Sequence, residues 1–414
     1  MSSTQSILLM AGEASGDYHA AALVRDIKSI RPQVRVVGIG GDKLAAAGME
    51  LLHHYRDINT IGLSEGLGKV RNIIHAYGTM KRELRSGEHS LFVPVDFPDI
   101  NIRLCGLAKK AGVPVYYYIS PQVWAWRRGR IRKIAERVDR MMTIFPFEEK
   151  LYREAGVKAD FVGHTMVRDL PDVIDRSAAK IGLGLEPSRN TVALVPGSRQ
   201  AEIRRMLPRM CEAAAIFLGE FPDTLFVLPL AGPHLAGIVR EILSQYAVPV
   251  EIHKAEASVL MAASDCGLVT SGTATLQAAL AGMPHAVVYA LDGLTWLIAS
   301  KVLKPLVMDS DVHVAIANVL AINDEKDGRG PIKLMMEAGH RIDCQECGRP
   351  LFVPELLQNQ ATPAKMAKWL LTFRSDDSLR ETMERGFSWM RQSLKSSQSG
   401  RTAADIILEF IAGK

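Results

Sequence analysis

The sequence of 414 residues has few cysteines, little net charge, no basic N-terminal region and no unbroken apolar span. Its five cysteines are scattered, and only Cys344 and Cys347 are close in sequence, so no disulfide framework is implied and a reducing compartment is expected. A formal charge of +5 is small for this length, and no run of five basic residues occurs, which argues against a nucleic-acid partner. No Lys or Arg precedes Arg25, so the apolar run 7–11 lacks the flank of a signal peptide. It reads as a first strand, and the protein as cytoplasmic. Residues 266–291 contain no Asp, Glu, Lys or Arg, but Ser271, Gly272, Thr273, Gln277, Gly282, Pro284 and His285 break them up. A buried strand, turn, helix and strand fit better than a membrane span.

What is present is an ordinary globular composition, 48% hydrophobic and 23% charged, long enough for two domains. Strand patterns at 6–10, 34–39, 90–95, 113–118, 141–145 and 160–162 alternate with helical ones. After a connection at 166–190 a second alternation begins, with strands at 191–195, 224–229, 250–253, 266–270 and 285–290. The expected architecture is α/β, two Rossmann-like domains with parallel sheets facing across a cleft. The expected boundaries are 1–165, a linker at 166–190, 191–375, and C-terminal helices at 376–414 that pack on the first domain or on a partner chain. Residues 58–84 approximate a helix with apolar Ile61, Leu63, Leu67, Val70, Ile73, Ile74 and Tyr77 among basic residues, which suits either a core-facing or a membrane-contacting helix.

Two turns look suited to phosphate. At 191–208 an apolar strand runs through Gly197, Ser198 and Arg199 into a helix, offering backbone N–H groups, a helix dipole and a guanidinium fork. The stretch SGTATLQ repeats the device with Gly272, Thr273 and Thr275. A nicotinamide or flavin site is not expected, because Gly38-x-Gly40-x-x-Lys43 lacks the third glycine. Asp96 and Asp99 follow a strand, where either can take a proton from a hydroxyl or cap a helix. Trp124 and Trp126 beside Arg127, Arg128 and Arg130 can stack on or clamp a ligand.

Taken in order, AGEASGD (11–17), PDIN (98–101), SPQVWAWRRGR from Ser120, FPFE (145–148), FVGH (161–164), PGSRQAEI, SGTATLQAALAG, Asn318 and VPELLQ (353–358) make the chain resemble the lipid-A-disaccharide synthase family. The resemblance implies a GT-B glycosyltransferase that joins UDP-2,3-diacylglucosamine to 2,3-diacylglucosamine 1-phosphate with inversion, releases UDP, and needs neither metal nor cofactor. It implies Asp99 as the base, with Asp96 as runner-up and Glu13 as a cleft residue. It also implies Gly197, Ser198, Arg199, Glu202, Gly272, Thr273, Thr275, Gln277 and Asn318 on the sugar-nucleotide side, and Ser15, Gly16, Trp124 and Arg127 on the acceptor side. Acylated substrates imply peripheral contact with the cytoplasmic face of the inner membrane through the helix at 67–77 and the stretch 294–303. The apolar C-terminal helix is compatible with a homodimer. Alternatives are a UDP-N-acetylglucosamine 2-epimerase-like isomerase and a non-catalytic UDP-sugar-binding homologue.

Three departures stand out. Gln277 takes the place of a usual Glu, so weaker UDP affinity is expected, and Thr165 takes the place of a usual proline. The insertion 322–347 carries Cys344 and Cys347, half of a zinc-knuckle pattern, to which His340 and His313 are candidate further ligands.

Overall fold

Strands here are continuous apolar runs. All six residues of β1 (Ser6–Ala11) and all five of β4 (Leu91–Val95), β8 (Thr191–Val195) and β11 (Cys266–Thr270) are buried. Such strands, hidden on both faces, belong in parallel sheets covered by helices. The computed structural model describes residues 5–58, 66–123, 129–168, 170–171, 174–290, 315–324, 330–345, 347–395 and 400–413, without the side chains of 66–70 and 324.

The chain divides into two compact units, Met1–Thr165 with Leu394–Lys414, and Met166–Ser393. In the first, β1, β2 (Arg35–Gly40), β3 (Glu50–His54), β4, β5 (Tyr116–Tyr118), β6 (Arg140–Thr143) and β7 (Ala159–Phe161) form one sheet in the order β3-β2-β1-β4-β5-β6-β7. Every neighbouring pair is parallel. In the second, β8, β9 (Leu225–Pro229), β10 (Val250–His253), β11, β12 (His285–Tyr289) and a late strand, Glu355–Leu357, form a parallel sheet in which β8 lies between β9 and β11.

The helix Gly66–Arg85 turns part of its expected apolar face to the core. Ala76, Met80 and Leu84 are buried, Ile73 and Tyr77 pack partly against the same core, and Ile74 is exposed. The described part of the insertion holds the end of the helix Ile316–Asp324, the helix Pro331–Glu337 and the strand Ile342–Asp343, which pairs antiparallel with Pro350–Leu351 beyond it. The turn between these strands is closed by Cys344 N–H on Arg349 O at 2.8 Å and Gly348 N–H on Cys344 O at 2.8 Å.

Two expected boundaries shift. Residues 174–190 are part of the second unit rather than a free linker: the helix Arg176–Gly182 sends Lys180 into its interior, where the ammonium donates to Arg189 O at 2.8 Å and Asp265 at 2.9 Å. The C-terminal segment is also divided. The helix Asp377–Lys395 lies in the second unit up to Ser393, with Met383, Phe387 and Met390 in that unit's core, and only 394–414 joins the first. There the helix Ala403–Ala412 buries its apolar face, Gln5 Nε2 donates to Ile411 O at 2.7 Å, and the Phe410 ring lies 4.9 Å from that of Tyr116.

Candidate active site

In an open parallel sheet a crevice forms where the strand order reverses, because the loops leaving the two strands run to opposite sides. In the second unit the reversal lies between β8 and β11. A pocket of about 440 Å³ opens at the C-terminal ends of these strands, lined by Gly197, Ser198, Arg199 and Glu202 after β8 and by Thr270, Gly272, Thr273 and Gln277 around the end of β11. The sequence motifs thus meet in one place.

The two phosphate turns are not equivalent. After β8, the Glu202 carboxylate accepts Ser198 N–H at 3.1 Å and Arg199 N–H at 3.3 Å, and it lies 3.3 Å from the Arg199 guanidinium. A Cβ on Gly197 would stand 2.4 Å from the same carboxylate. The chain's own anion therefore fills the seat expected for a phosphate. After β11 the seat is open. Gly272 holds φ +140°, a backbone that glycine adopts without strain, and the N–H groups of Gly272, Thr273 and Ala274 meet no acceptor among the described residues. Such a helix start favours an anion. The Thr270 hydroxyl, buried against the same pocket, has no hydrogen-bond partner among the described residues.

Two expected ligand residues have structural work instead. The Thr275 hydroxyl donates back to Gly272 O at 2.9 Å and closes the turn. Asn318 is fully buried and outside the pocket. Its amide donates to Val353 O at 2.9 Å and Glu355 at 2.8 Å, and its carbonyl accepts Phe352 N–H and Val353 N–H, both at 2.8 Å. Both donors and both lone pairs are used, so nothing remains for a sugar nucleotide.

In the first unit the order reverses between β1 and β4. Glu13 follows β1 as the N-cap residue of the helix Ala14–Ile30, and Asp96 directly follows β4. Asp96 and Phe97 both have left-handed backbones, φ +43° and +48°. Three interactions hold this conformation: Asn101 Nδ2 donates to Asp96 O at 2.7 Å, Tyr117 OH donates to the same oxygen at 2.6 Å, and the Phe97 ring sits where a Cβ on Gly12 would be. Strain fixed in this way is common at reaction centres. Burial, aided by the Glu13 carboxylate and opposed by the Phe97 N–H, pushes the Asp96 carboxyl up to about 7. Asp99 is different: it lies in the first turn of the helix Pro98–Lys110, with its side chain 74% exposed and ion-paired to Arg130. Arg130 engages its Oδ1, whereas the Asp96 carboxyl is buried.

Gly16 is a packing position, against Ala11 and Val95, and Ser15 is half-buried in the same helical turn. Asp17 completes that motif structurally, because its carboxylate accepts Gly41 N–H at 2.7 Å and the N–H groups of Lys43 and Leu44 at 3.2 Å. Ser120 donates to the buried Glu148 carboxylate at 2.6 Å, tying the SPQ turn to FPFE. Trp124, Arg127, His313 and residues 294–303 lie outside the described residues.

The Cys344 and Cys347 pair gathers no further candidate ligand among the described residues. His340 turns to Ser378 at 3.1 Å and Asp376 at 3.9 Å, and no group of three potential ligands occurs among the described residues. The sequence reading also missed Thr270 and Lys254, which line the pocket. Their only signal was position at or just after a strand end.

Comparison with known proteins decides the family. The profile described as lipid-A-disaccharide synthetase matches residues 7–324. The chain belongs to the lipid-A-disaccharide synthetase family. Lipid-A-disaccharide synthase of Geobacter metallireducens is 34% identical over 408 residues, covering 99% of this chain and 98% of the other. That of Myxococcus xanthus is 37% identical over 415 residues, covering 99% of each. Among solved structures, UDP-GlcNAc 2-epimerase from Neisseria meningitidis bound to UDP-GlcNAc has a TM-score of 0.60 at 11% identity, covering 99% of this chain and 100% of the other. The glycosyltransferase of kitacinnamycin has a TM-score of 0.56 at 16% identity, covering 98% of each. At such identities these structures speak for the fold alone, two Rossmann-like α/β units with parallel sheets, which glycosyltransferases and epimerases share. The sequence relatives make the chain a glycosyltransferase.

Proposed function

We propose that the protein transfers 2,3-diacylglucosamine from its UDP ester to the 6-hydroxyl of 2,3-diacylglucosamine 1-phosphate, forming a β-1,6 disaccharide and UDP. Relatedness to lipid-A-disaccharide synthases along the whole chain carries this reading. The pocket chemistry supports it. UDP leaves as an anion, and the open N–H groups at Gly272–Ala274, with Arg199 at the rim, suit the charge that grows on the leaving diphosphate. Gln277 meets the ribose through a neutral amide, so its contact is weaker than a carboxylate's.

Asp96 is the base in this reading. A carboxyl near 7 is half-ionised at neutral pH and is matched to accepting a proton from the acceptor hydroxyl as the oxygen attacks C1 from the face opposite UDP. Glu13 tunes it by charge. Acceptor-dependent UDP release from UDP-diacylglucosamine tests the reaction. Release without acceptor, or a C2 epimer instead of a disaccharide, would refute it.

Acylated substrates also call for contact with a bilayer surface. Among the described residues no helix is long and apolar enough to cross a membrane. The helix Gly66–Arg85 presents exposed Ile74, Arg71, Arg82 and Arg85, a combination suited to anionic lipid. Ile73 packs on the core, so Ile74→Ser with Arg82→Glu and Arg85→Glu is the informative variant. It should lose co-sedimentation with phosphatidylglycerol vesicles while keeping its melting temperature, and unchanged sedimentation would refute the contact.

A further inference from the structure

The strands that end at the nucleotide pocket begin at a second, chemically different cavity. About 250 Å³ in volume, it opens where Asn190 precedes β8 and Asp265 precedes β11, and it shares no lining residue with the first pocket. Four cations line it, Arg176, Lys180, Arg374 and Arg380, against a single carboxylate, Asp265. Glu384 and Asp377, outside the lining, pair with Arg176 and Arg380, which leaves one positive charge in excess.

The distribution of partners shows which cations are available. Asp265 Oδ2 is taken by the buried Lys180 ammonium at 2.9 Å and by Thr191 N–H at 2.8 Å. Arg380 is spent on the carbonyls of Phe373 and Arg374, both at 2.9 Å, and on Asp377. Arg176 reaches Glu384 at 2.8 Å with one nitrogen, but its buried Nε makes no hydrogen bond and lies 3.9 Å from Asp265 Oδ1. Arg374 lies over the Phe221 ring at 5.2 Å and pairs with no carboxylate among the described residues. A guanidinium stacked on an aromatic ring keeps its in-plane donors for an oxyanion. Arg176, Arg374 and Arg380 share this lining with Cys266, whose thiol is pushed up to about 12 by burial.

We propose that this cavity is an oxyanion site, for phosphate or the phosphate of a small monoester, separate from the sugar-nucleotide pocket. One positive charge in excess, a buried Nε without a hydrogen bond and a guanidinium without a carboxylate among the described residues fit an oxyanion, and the volume is below that of drug-sized ligand sites.

Isothermal titration of the full chain with inorganic phosphate tests this, with UDP saturating the first pocket and ionic strength held constant with chloride. One saturable equivalent is expected, weakened at least tenfold in Arg374→Gln and unchanged in Arg199→Gln. Ser188→Glu adds a carboxylate at the exposed rim and should weaken binding likewise, which covers the case that Arg374→Gln fails to fold. Glucose 1-phosphate is the second arm: tighter binding than phosphate assigns the site to monoesters, and weaker binding assigns it to the free ion. The proposal fails if phosphate gives no saturable heat beyond that of chloride, if UDP competes with it, or if both variants bind as the unaltered chain does.

Discussion

Asp96 combines a left-handed backbone, burial and a neighbouring carboxylate, and each has a measurable consequence. Asp96→Asn should lower kcat by about 10²–10⁴-fold, the usual worth of a positioned base, with the KM for the sugar nucleotide little changed. The same variant should alter the pH dependence of stability. An acid whose folded pKa lies near 7 instead of 3.8 binds more protons in the fold than in the unfolded chain between those values. Its contribution is therefore full below about 4 and is lost as pH rises through 7. Above pH 7, Asp96→Asn should be more stable than the unaltered chain, by on the order of 3 kcal/mol, in denaturant melts at pH 8. The same or lower stability would mean that Asp96 is ionised without cost, and the assignment as a tuned base would fall.

Among the elements, those that carry the site follow from local patterns, while their division of labour does not. Continuous apolar runs mark the strands, and Gly197 and Gly272 mark the turns. Nothing in PGSRQAE shows that Glu202, one turn into the helix, folds back onto the N–H groups the turn was expected to offer, because that depends on a rotamer and a φ of +108° at Gly197. Likewise Asp96 and Asp99 look alike in PVDFPDIN. Only the fold buries one and places Arg130 against the other. Asn318 is the clearest case, since a motif asparagine turns out to clamp the chain at residues 352–353. Asn318→Ala should cost about 2–4 kcal/mol by orphaning two buried N–H groups, while the folded fraction keeps its KM for the sugar nucleotide. A raised KM at unchanged stability would return Asn318 to the binding site.

For the whole molecule, the division into units runs across the chain ends. The polypeptide leaves the first unit after Thr165 and re-enters it at Leu394, and His164 N–H donates to Leu394 O at 2.8 Å. Exit and return are thus one hydrogen bond apart, with Gly163 so close to Lys395 O that a Cβ would stand 2.8 Å from it. Topologically, the second sheet and its helices are a guest inserted at a single point of a host fold. The guest should be excisable: residues 5–164, joined through a short Gly-Ser linker to 394–413, are expected to melt in one cooperative transition. His19 and His164 remain in that host, held neutral by burial, His19 at about 4 and His164 well below its ordinary value. Stability they contribute above pH 6.5 is lost as the pH falls toward 4, so the excised host should keep this acid limb in its melting profile. Two transitions, or none, would mean that the guest is required for the host to fold. A single host transition would mean that the first unit can be prepared and titrated without the second.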